Sequence, residues 1–145
     1  METATKKIIT LETTVNAPIE KVWEYWTTPR HIKQWNNASY DWHTPHAEND
    51  LRDGGKFLSR MEAKDGSAGF DFEGIYDEVK PNAFIAYTIG DGRKVSVTFS
   101  EDGNDIKIVE TFEAENTHSI EMQESGWQAI LDNFKKYTES AHPKK

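Results

Sequence analysis

The residue in this sequence with the clearest chemical potential is a carboxylate placed among apolar residues at strand spacing. In the run Asp105–Ala114, Ile106, Ile108 and Phe112 share one face with Glu110. A carboxylate on an inward face is costly unless it is paired or protonated. Two interpretations stay open at this point. Glu110 lies at a bulge or sheet edge that reaches water, or it orients a ligand inside a cavity.

Other polar residues could support chemistry near Glu110. Arg52 or Arg60 could pair with its carboxylate, and His43 and Arg52 could orient a ligand. The series His43, His46, Glu48 and Asp50 contains oxygen and nitrogen donors, but its spacing fits no zinc pattern, so we interpret it as a polar loop at a cavity mouth. We predict no metal site and no cofactor.

Established catalytic and phosphate-binding motifs are absent from the sequence. Serine, histidine and aspartate are present, yet there is no Gly-x-Ser-x-Gly nucleophile elbow. No glycine-rich phosphate loop occurs either. Aspartate, histidine, tyrosine and arginine could do acid–base work in a cavity, but this is specific to no one protein. We therefore name no catalytic residue.

Aromatic residues are more numerous than one tight core needs, and ligand pockets are mainly apolar and aromatic. Most of them can be core residues, as we expect for Trp23 and Phe99. Others could line a cavity instead. The full set that we predict to bind a ligand is Trp42, His43, Arg52, Tyr76, Glu110, Trp127, Ile130 and Phe134.

The elements that must position these residues follow from periodicity. Lys7–Val15 alternates as a strand, and Asn16-Ala17-Pro18 is typical of a helix entry in which Asn16 can cap the helix. Apolar residues then recur at helical spacing up to a break at Pro29. A second short helix is predicted from Pro29 to about Gln34. Four Asp-Gly pairs then separate runs of strand-like sequence, and each pair predicts a hairpin turn. The predicted strands with the clearest limits are Lys56–Ala63, Gly69–Val79, Ala83–Ile89, Lys94–Ser100 and Asp105–Ala114.

A long amphipathic helix closes the chain, from about Ser119 to Ser140. Its predicted apolar stripe is Met122, Trp127, Ile130, Leu131, Phe134 and Tyr137. One strand, two short helices, a meander and a long helix make an α+β layout, in which that helix is the only element long enough to cover the sheet. We also expect Gly74 to lie at a bend in its strand or where another element approaches it closely. Gly126 is expected either to let the helix pack close to the sheet or to leave room in the cavity.

Composition narrows the functional class. The 145 residues suit one domain, residues 1–145, with flexible ends at 1–6 and 141–145. The chain has no cysteine, no signal-like segment and no apolar run long enough for a membrane span, so we expect a cytoplasmic protein. We also expect it to be a monomer. The net charge of −8 disfavours nucleic-acid partners. The acidic stretch from Glu101 to Glu124 is either a solvated surface or a docking patch for a basic partner.

Four stretches carry a resemblance to a known superfamily. They are Ala17-Pro18…Val22-Trp23…Trp26-Thr27…Pro29…Ile32…Trp35, Asp50-Leu51-Arg52…Gly54-Gly55-Lys56-Phe57, Phe72…Gly74-Ile75-Tyr76…Val79…Pro81 and Gly126-Trp127…Leu131…Phe134. In this order they resemble the START-like (SRPBCC) superfamily. The similarity is greatest to bacterial proteins related to the C-terminal domain of the activator of the ninety-kilodalton heat-shock protein ATPase. The resemblance covers nearly the whole chain.

The resemblance implies a helix-grip fold, in which a curved antiparallel sheet of six to seven strands grips the C-terminal helix around an apolar cavity. Superfamily members bind lipids, sterols, polyketides and plant phenolics there, and a minority are enzymes. The leading hypothesis is therefore a protein that binds an apolar small molecule. The alternatives are a co-chaperone-like module that stimulates a chaperone ATPase, and a cyclase- or hydrolase-type enzyme that uses the same cavity.

Overall fold

Seven antiparallel strands and three helices make up the part of the chain that the computed structural model describes, residues 7–37, 41–115 and 119–141. The predictions for residues 1–6 and 142–145 lie outside this part, while Ala141 ends the last helix. The elements in chain order are β1 (Ile8–Val15), α1 (Ile19–Thr27), α2 (Pro29–Trp35), β2 (Trp42–Asn49), β3 (Lys56–Ala63), β4 (Gly69–Lys80), β5 (Phe84–Ile89), β6 (Lys94–Asp102), β7 (Asp105–Glu113) and α3 (Ile120–Ala141).

The strands form one curled sheet in the order β1-β7-β6-β5-β4-β3-β2. β1 and β2 are thus its two edges. Helix α3 packs on the sheet and contacts β1, while α2 contacts β2. The predicted helix-grip architecture is confirmed.

The four Asp-Gly pairs lie in the hairpin turns, as predicted. Their glycines, Gly54, Gly66, Gly92 and Gly103, all have positive φ angles, between 67° and 93°. An L-residue with a side chain rarely adopts this conformation, so the Asp-Gly pairs fix the position of four of the hairpin turns. Most predicted boundaries agree with the structure to within one or two residues.

Three local predictions were wrong. The stretch predicted as a polar loop at His43–Asp50 is mostly strand β2, an edge strand that carries Pro45 and a register shift between His43 and His46. Both features are typical of sheet edges. Asn16 does not cap α1; its side chain donates to Asp105 Oδ1 at 2.9 Å. Met122, predicted in the apolar stripe of α3, is 62% exposed.

The core lies between the inner sheet face and the helices. Strand β7 shows strict alternation, and its buried residues are Ile106, Ile108, Glu110 and Phe112. Leu131 and Phe134 of α3 face this core and are almost completely buried. Trp23 packs edge-on against Phe99 with ring centroids 5.5 Å apart, which confirms both as packing residues.

Candidate functional site

A cavity of about 480 Å³ lies between the inner sheet face, the two short helices and α3. Its sheet wall is built mainly by β2, β3, β4 and β5, and inward positions alternate along β3, β4 and β5. Phe57, Ser59 and Met61 of β3 all point into it. Its volume falls within the range of about 300–1,000 Å³ typical of small-molecule sites.

Aromatic side chains make up much of the surface of this cavity. Phe57 lies 5.8 Å from Phe72 and 5.3 Å from Tyr76, between ring centroids, and Phe72 lies 6.1 Å from Trp127 of α3. We call Phe57, Phe72, Tyr76 and Trp127 the aromatic wall. Trp127 also stacks on Phe112, with centroids 3.8 Å apart and planes 10° from parallel.

Of the eight residues predicted to bind a ligand, five line the cavity: Trp42, Tyr76, Glu110, Trp127 and Ile130. Phe134 lies outside its lining, fully buried against Trp26 and Trp35 at centroid distances of 4.8 and 5.0 Å. His43 is a half-buried β2 residue opposite Glu62, outside the lining. Arg52 is exposed and bound to Asp50, with Nε 2.9 Å from Oδ1.

Glu110 is the carboxylate at the inner face of the cavity. It lies on β7 in unbroken register with Leu11 of β1 and Val97 of β6, and only 7% of the residue is exposed. The bulge or edge position considered from the sequence is therefore wrong. The proposed partners Arg52 and Arg60 are also engaged elsewhere, with Arg60 bound to Glu62 and Asp71.

Burial governs the electrostatics of Glu110. Within residues 7–37, 41–115 and 119–141, its carboxyl group has no hydrogen bond or ion pair. Desolvation raises the pKa of Glu110 to about 8, because the neutral form is favoured away from water. Burial raises the pKa of the Tyr87 phenol well above its usual range, and nearby Glu110 adds to this effect.

The remaining charged groups of the lining have partners. Arg93 donates through Nε to Asp91 at 2.8 Å and through a terminal nitrogen to the Glu113 carbonyl at 3.0 Å. Glu48 lies 2.6 Å from His46 Nε2. The Tyr76 hydroxyl donates to Asn49 Oδ1 at 2.5 Å, and burial raises its pKa.

Several lining residues were not predicted. Trp35 is 6% exposed, lines the cavity and donates its indole N–H to the Tyr25 carbonyl at 2.9 Å. Phe57, Ser59 and Met61 could have been found from their period-two spacing on the predicted strand Lys56–Ala63. Arg93 lies in a turn, and no sequence signal points it toward the cavity.

A separate polar cluster lies among the three helices. His31 stacks on Tyr25 with ring centroids 4.2 Å apart, and its Nδ1 lies 2.6 Å from the Tyr137 hydroxyl. Glu24 Oε2 lies 3.7 Å from His31 Nε2. Desolvation, with some help from Arg30, lowers the pKa of His31, although Glu24 opposes the shift. These residues join the helices to one another.

Two further features bear on function. In the described part of the chain, no cluster of three or more histidine, cysteine or acidic residues is arranged to hold a metal ion. None of the helices seen there combines the length and apolar character needed to cross a membrane. The acidic stretch Glu101–Glu124 is not one surface, since Glu110 faces inward while Glu101 and Glu124 are exposed on different elements.

The sheet, the gripped helix and the cavity define a helix-grip protein of the SRPBCC type. Residues 16–139 match the family described as activator of Hsp90 ATPase homolog 1-like protein. The chain belongs to this family. No curated protein matches it.

Solved structures agree with this assignment. The solution structure of the AHSA1-like protein from Aeromonas hydrophila is 43% identical, with a TM-score of 0.89 over 96% of this chain and 99% of that one. Chr148 from Cytophaga hutchinsonii is 55% identical, with a TM-score of 0.80 over 94% and 96% of the two chains. SA2116 from Staphylococcus aureus, a protein of unknown function, shares the fold at 18% identity, with a TM-score of 0.70 over 96% of this chain and 98% of that one.

Proposed function

We propose that this protein binds an apolar small molecule in the cavity between α3 and the sheet. The observation that carries the proposal is a space of about 480 Å³ with an aromatic wall and few polar groups. Apolar surface buried by a ligand there would stabilise the complex by roughly 25 cal/mol per Å² before the costs of association. Trp42, Tyr76, Glu110, Trp127 and Ile130 are the proposed contacts.

The shape of α3 supports this proposal. Gly126 lies in the helix beside Trp127, and a Cβ atom placed on it would meet no atom within 4 Å. A glycine inside a helix costs about 1 kcal/mol relative to alanine. Close approach of the sheet therefore does not explain the glycine. Of the two roles considered from the sequence, we propose that Gly126 leaves room in the cavity.

The test uses N-phenyl-1-naphthylamine, a neutral apolar probe whose fluorescence rises in apolar surroundings. We expect saturable binding, with amide chemical-shift changes concentrated around Trp127 and the inner strand positions. Gly126→Leu should fill the space and weaken binding at least tenfold. Ser125→Leu adds the same side chain at the neighbouring exposed position and should leave binding unchanged.

Two results would oppose the proposal. One is a set of diffuse surface shifts with none near Trp127. The other is equal binding by Gly126→Leu and Ser125→Leu, provided that both variants keep the dispersed amide spectrum of the folded protein. Either result would place the probe outside the cavity.

The family match supports a second candidate, stimulation of a chaperone ATPase. It rests on the description of the family, which concerns an activator of the Hsp90 ATPase. Addition of the protein to a bacterial ninety-kilodalton heat-shock chaperone should then raise ATP turnover in a saturable manner. Unchanged turnover at a large excess of the protein would reject this candidate.

A further inference from the structure

In the part of the chain that the structure describes, the cavity lining includes an unpaired acidic group, Glu110. Glu110 has apolar residues as its direct neighbours on both adjacent strands, Leu11 and Val97. It is more than nine-tenths buried, and it lines the cavity. A buried carboxyl group without a partner costs free energy that a suitable ligand group can recover.

The charge of the lining favours a cation over an anion. Arg93 is the basic residue of the described lining, and Asp91 and the Glu113 carbonyl already accept from it. A ligand carboxylate would therefore lie in the cavity without an available cation, and an unpaired buried charge is costly. The net charge of −8 also attracts cations toward the protein and repels anions.

The rings beside Glu110 suit the same kind of ligand. Tyr87 lies near enough to Glu110 for the carboxylate to affect its pKa, and Tyr76 and Phe57 contact Tyr87 at centroid distances of 6.1 and 4.8 Å. An ammonium group over an aromatic face is attracted by the negative face of the ring, and more strongly when water is excluded. A carboxylate among aromatic rings therefore combines the two groups that recognise organic ammonium ions.

We infer that the cavity selects a ligand with a protonated amine on an apolar body, and that Glu110 is the carboxylate that pairs with the ammonium group. The inference rests on the proposed function, since it names the class of ligand for the same cavity. Pairing requires ionised Glu110. Because burial raises the pKa of Glu110 to about 8, binding of the ammonium form at pH 7 is accompanied by release of the carboxyl proton.

The test displaces N-phenyl-1-naphthylamine with three compounds on one skeleton: 2-(1-naphthyl)ethylamine, 2-(1-naphthyl)ethanol and 1-naphthaleneacetic acid. At pH 7 we expect the amine to bind at least tenfold more tightly than the alcohol, and the acid to bind most weakly. Calorimetry in two buffers with different ionisation enthalpies should detect proton release with the amine and none with the alcohol.

Two variants assign the preference to a residue. Glu110→Gln keeps the side-chain shape and should bind the amine and the alcohol equally, once its own affinity for N-phenyl-1-naphthylamine has been measured as the reference for displacement. Glu48→Gln removes the other carboxylate of the lining, which is exposed and paired with His46, and should keep the preference for the amine.

The outcomes separate this inference from the proposed function. If the fluorescent probe binds but the amine has no advantage, or if the advantage survives Glu110→Gln, the inference is wrong and the cavity still binds apolar molecules. If neither the probe nor any naphthyl compound binds, both the inference and the proposed function fail.

Discussion

Two groups of aromatic side chains meet inside this protein and are packed differently. Trp26, Trp35 and Phe134, which we call the aromatic plug, lie with ring centroids 4.8 to 5.0 Å apart, and Phe134 is fully buried. In the aromatic wall the neighbouring rings are 5.3 to 6.1 Å apart and border an open space. Trp26 and Trp35 also line the cavity, so the same residue types pack closely at one end of it, around the buried Phe134, and lie further apart along its side.

The difference lies in the elements that carry the rings. The plug joins three helices, whose side chains converge as the helices pack together. The wall is built on strands of a curled sheet, with Trp127 on the helix opposite, and the curvature keeps the facing surfaces apart. Ring content by itself is therefore no guide to where a ligand binds, and variants in the two groups should respond differently.

The largest expected effect is in the plug. Phe134→Ala should lower the free energy of unfolding by about 3–5 kcal/mol, because it removes a fully buried ring and leaves a void. Urea unfolding measures the change. Phe72→Ala in the wall is the matched control and should cost less, since its ring is only half-buried, but should weaken binding of the naphthyl probe. Equal destabilisation, with binding intact in Phe72→Ala, would remove the distinction between the groups.

Glu110 should make stability depend on pH in an unusual direction. The folded protein holds this proton more tightly than the unfolded chain, since the pKa is raised from 4.5 to about 8. The contribution of Glu110 to the free energy of unfolding is therefore complete below pH 4.5 and is lost as the pH rises toward 8. Between pH 5.5 and 8.5, wild type should lose about 3 kcal/mol relative to Glu110→Gln. Urea unfolding of both proteins at the two pH values checks this, and parallel pH profiles would contradict it.

Trp127→Ala should give a smaller loss of stability, about 2 kcal/mol, because one face of the ring stacks on Phe112 while the residue also borders the cavity. Binding of the naphthyl probe should weaken at the same time. Thermal unfolding combined with a fluorescence titration measures both quantities. A loss as large as that of Phe134→Ala, with unaltered binding, would move Trp127 from the wall to the packed core.

The smallest effect is expected at Gly126. Gly126→Ala should stabilise the protein by about 0.5–1 kcal/mol, since alanine favours the helix and the new methyl group meets open space. Gly74→Ala is the contrasting control, because its Cβ would lie 2.5 Å from the Thr88 carbonyl oxygen. It should destabilise the protein by about 1–3 kcal/mol. Chemical denaturation of the pair tests whether the space beside Trp127 is open, and destabilisation by Gly126→Ala would show that it is filled.

Much of the fold could be predicted from local patterns, while the site could be predicted only in part. The Asp-Gly turns mark strand ends because glycine alone readily accepts the required φ. Glu110 was identifiable because it breaks an apolar alternation. That Arg52 and Arg60 do not pair with it was not, since Arg52 binds Asp50 in the β2–β3 turn, and Arg60 binds Glu62 on its own strand and Asp71 on the paired strand. Likewise, the stretch His43–Asp50 was interpreted as a loop, because its polar side chains give no sign that it pairs with β3.

The sequence alone determined the order of elements, the turn positions and the inward face of β7, because periodicity and glycine chemistry act over a few residues. The tertiary structure decided which rings pack and which border space. It buried Phe134 against Trp26 and Trp35, and it left Glu110 facing a cavity without a partner in the described residues. These outcomes depend on the curvature of the sheet and on the line that α3 takes across it, which are set by contacts between residues distant in the chain.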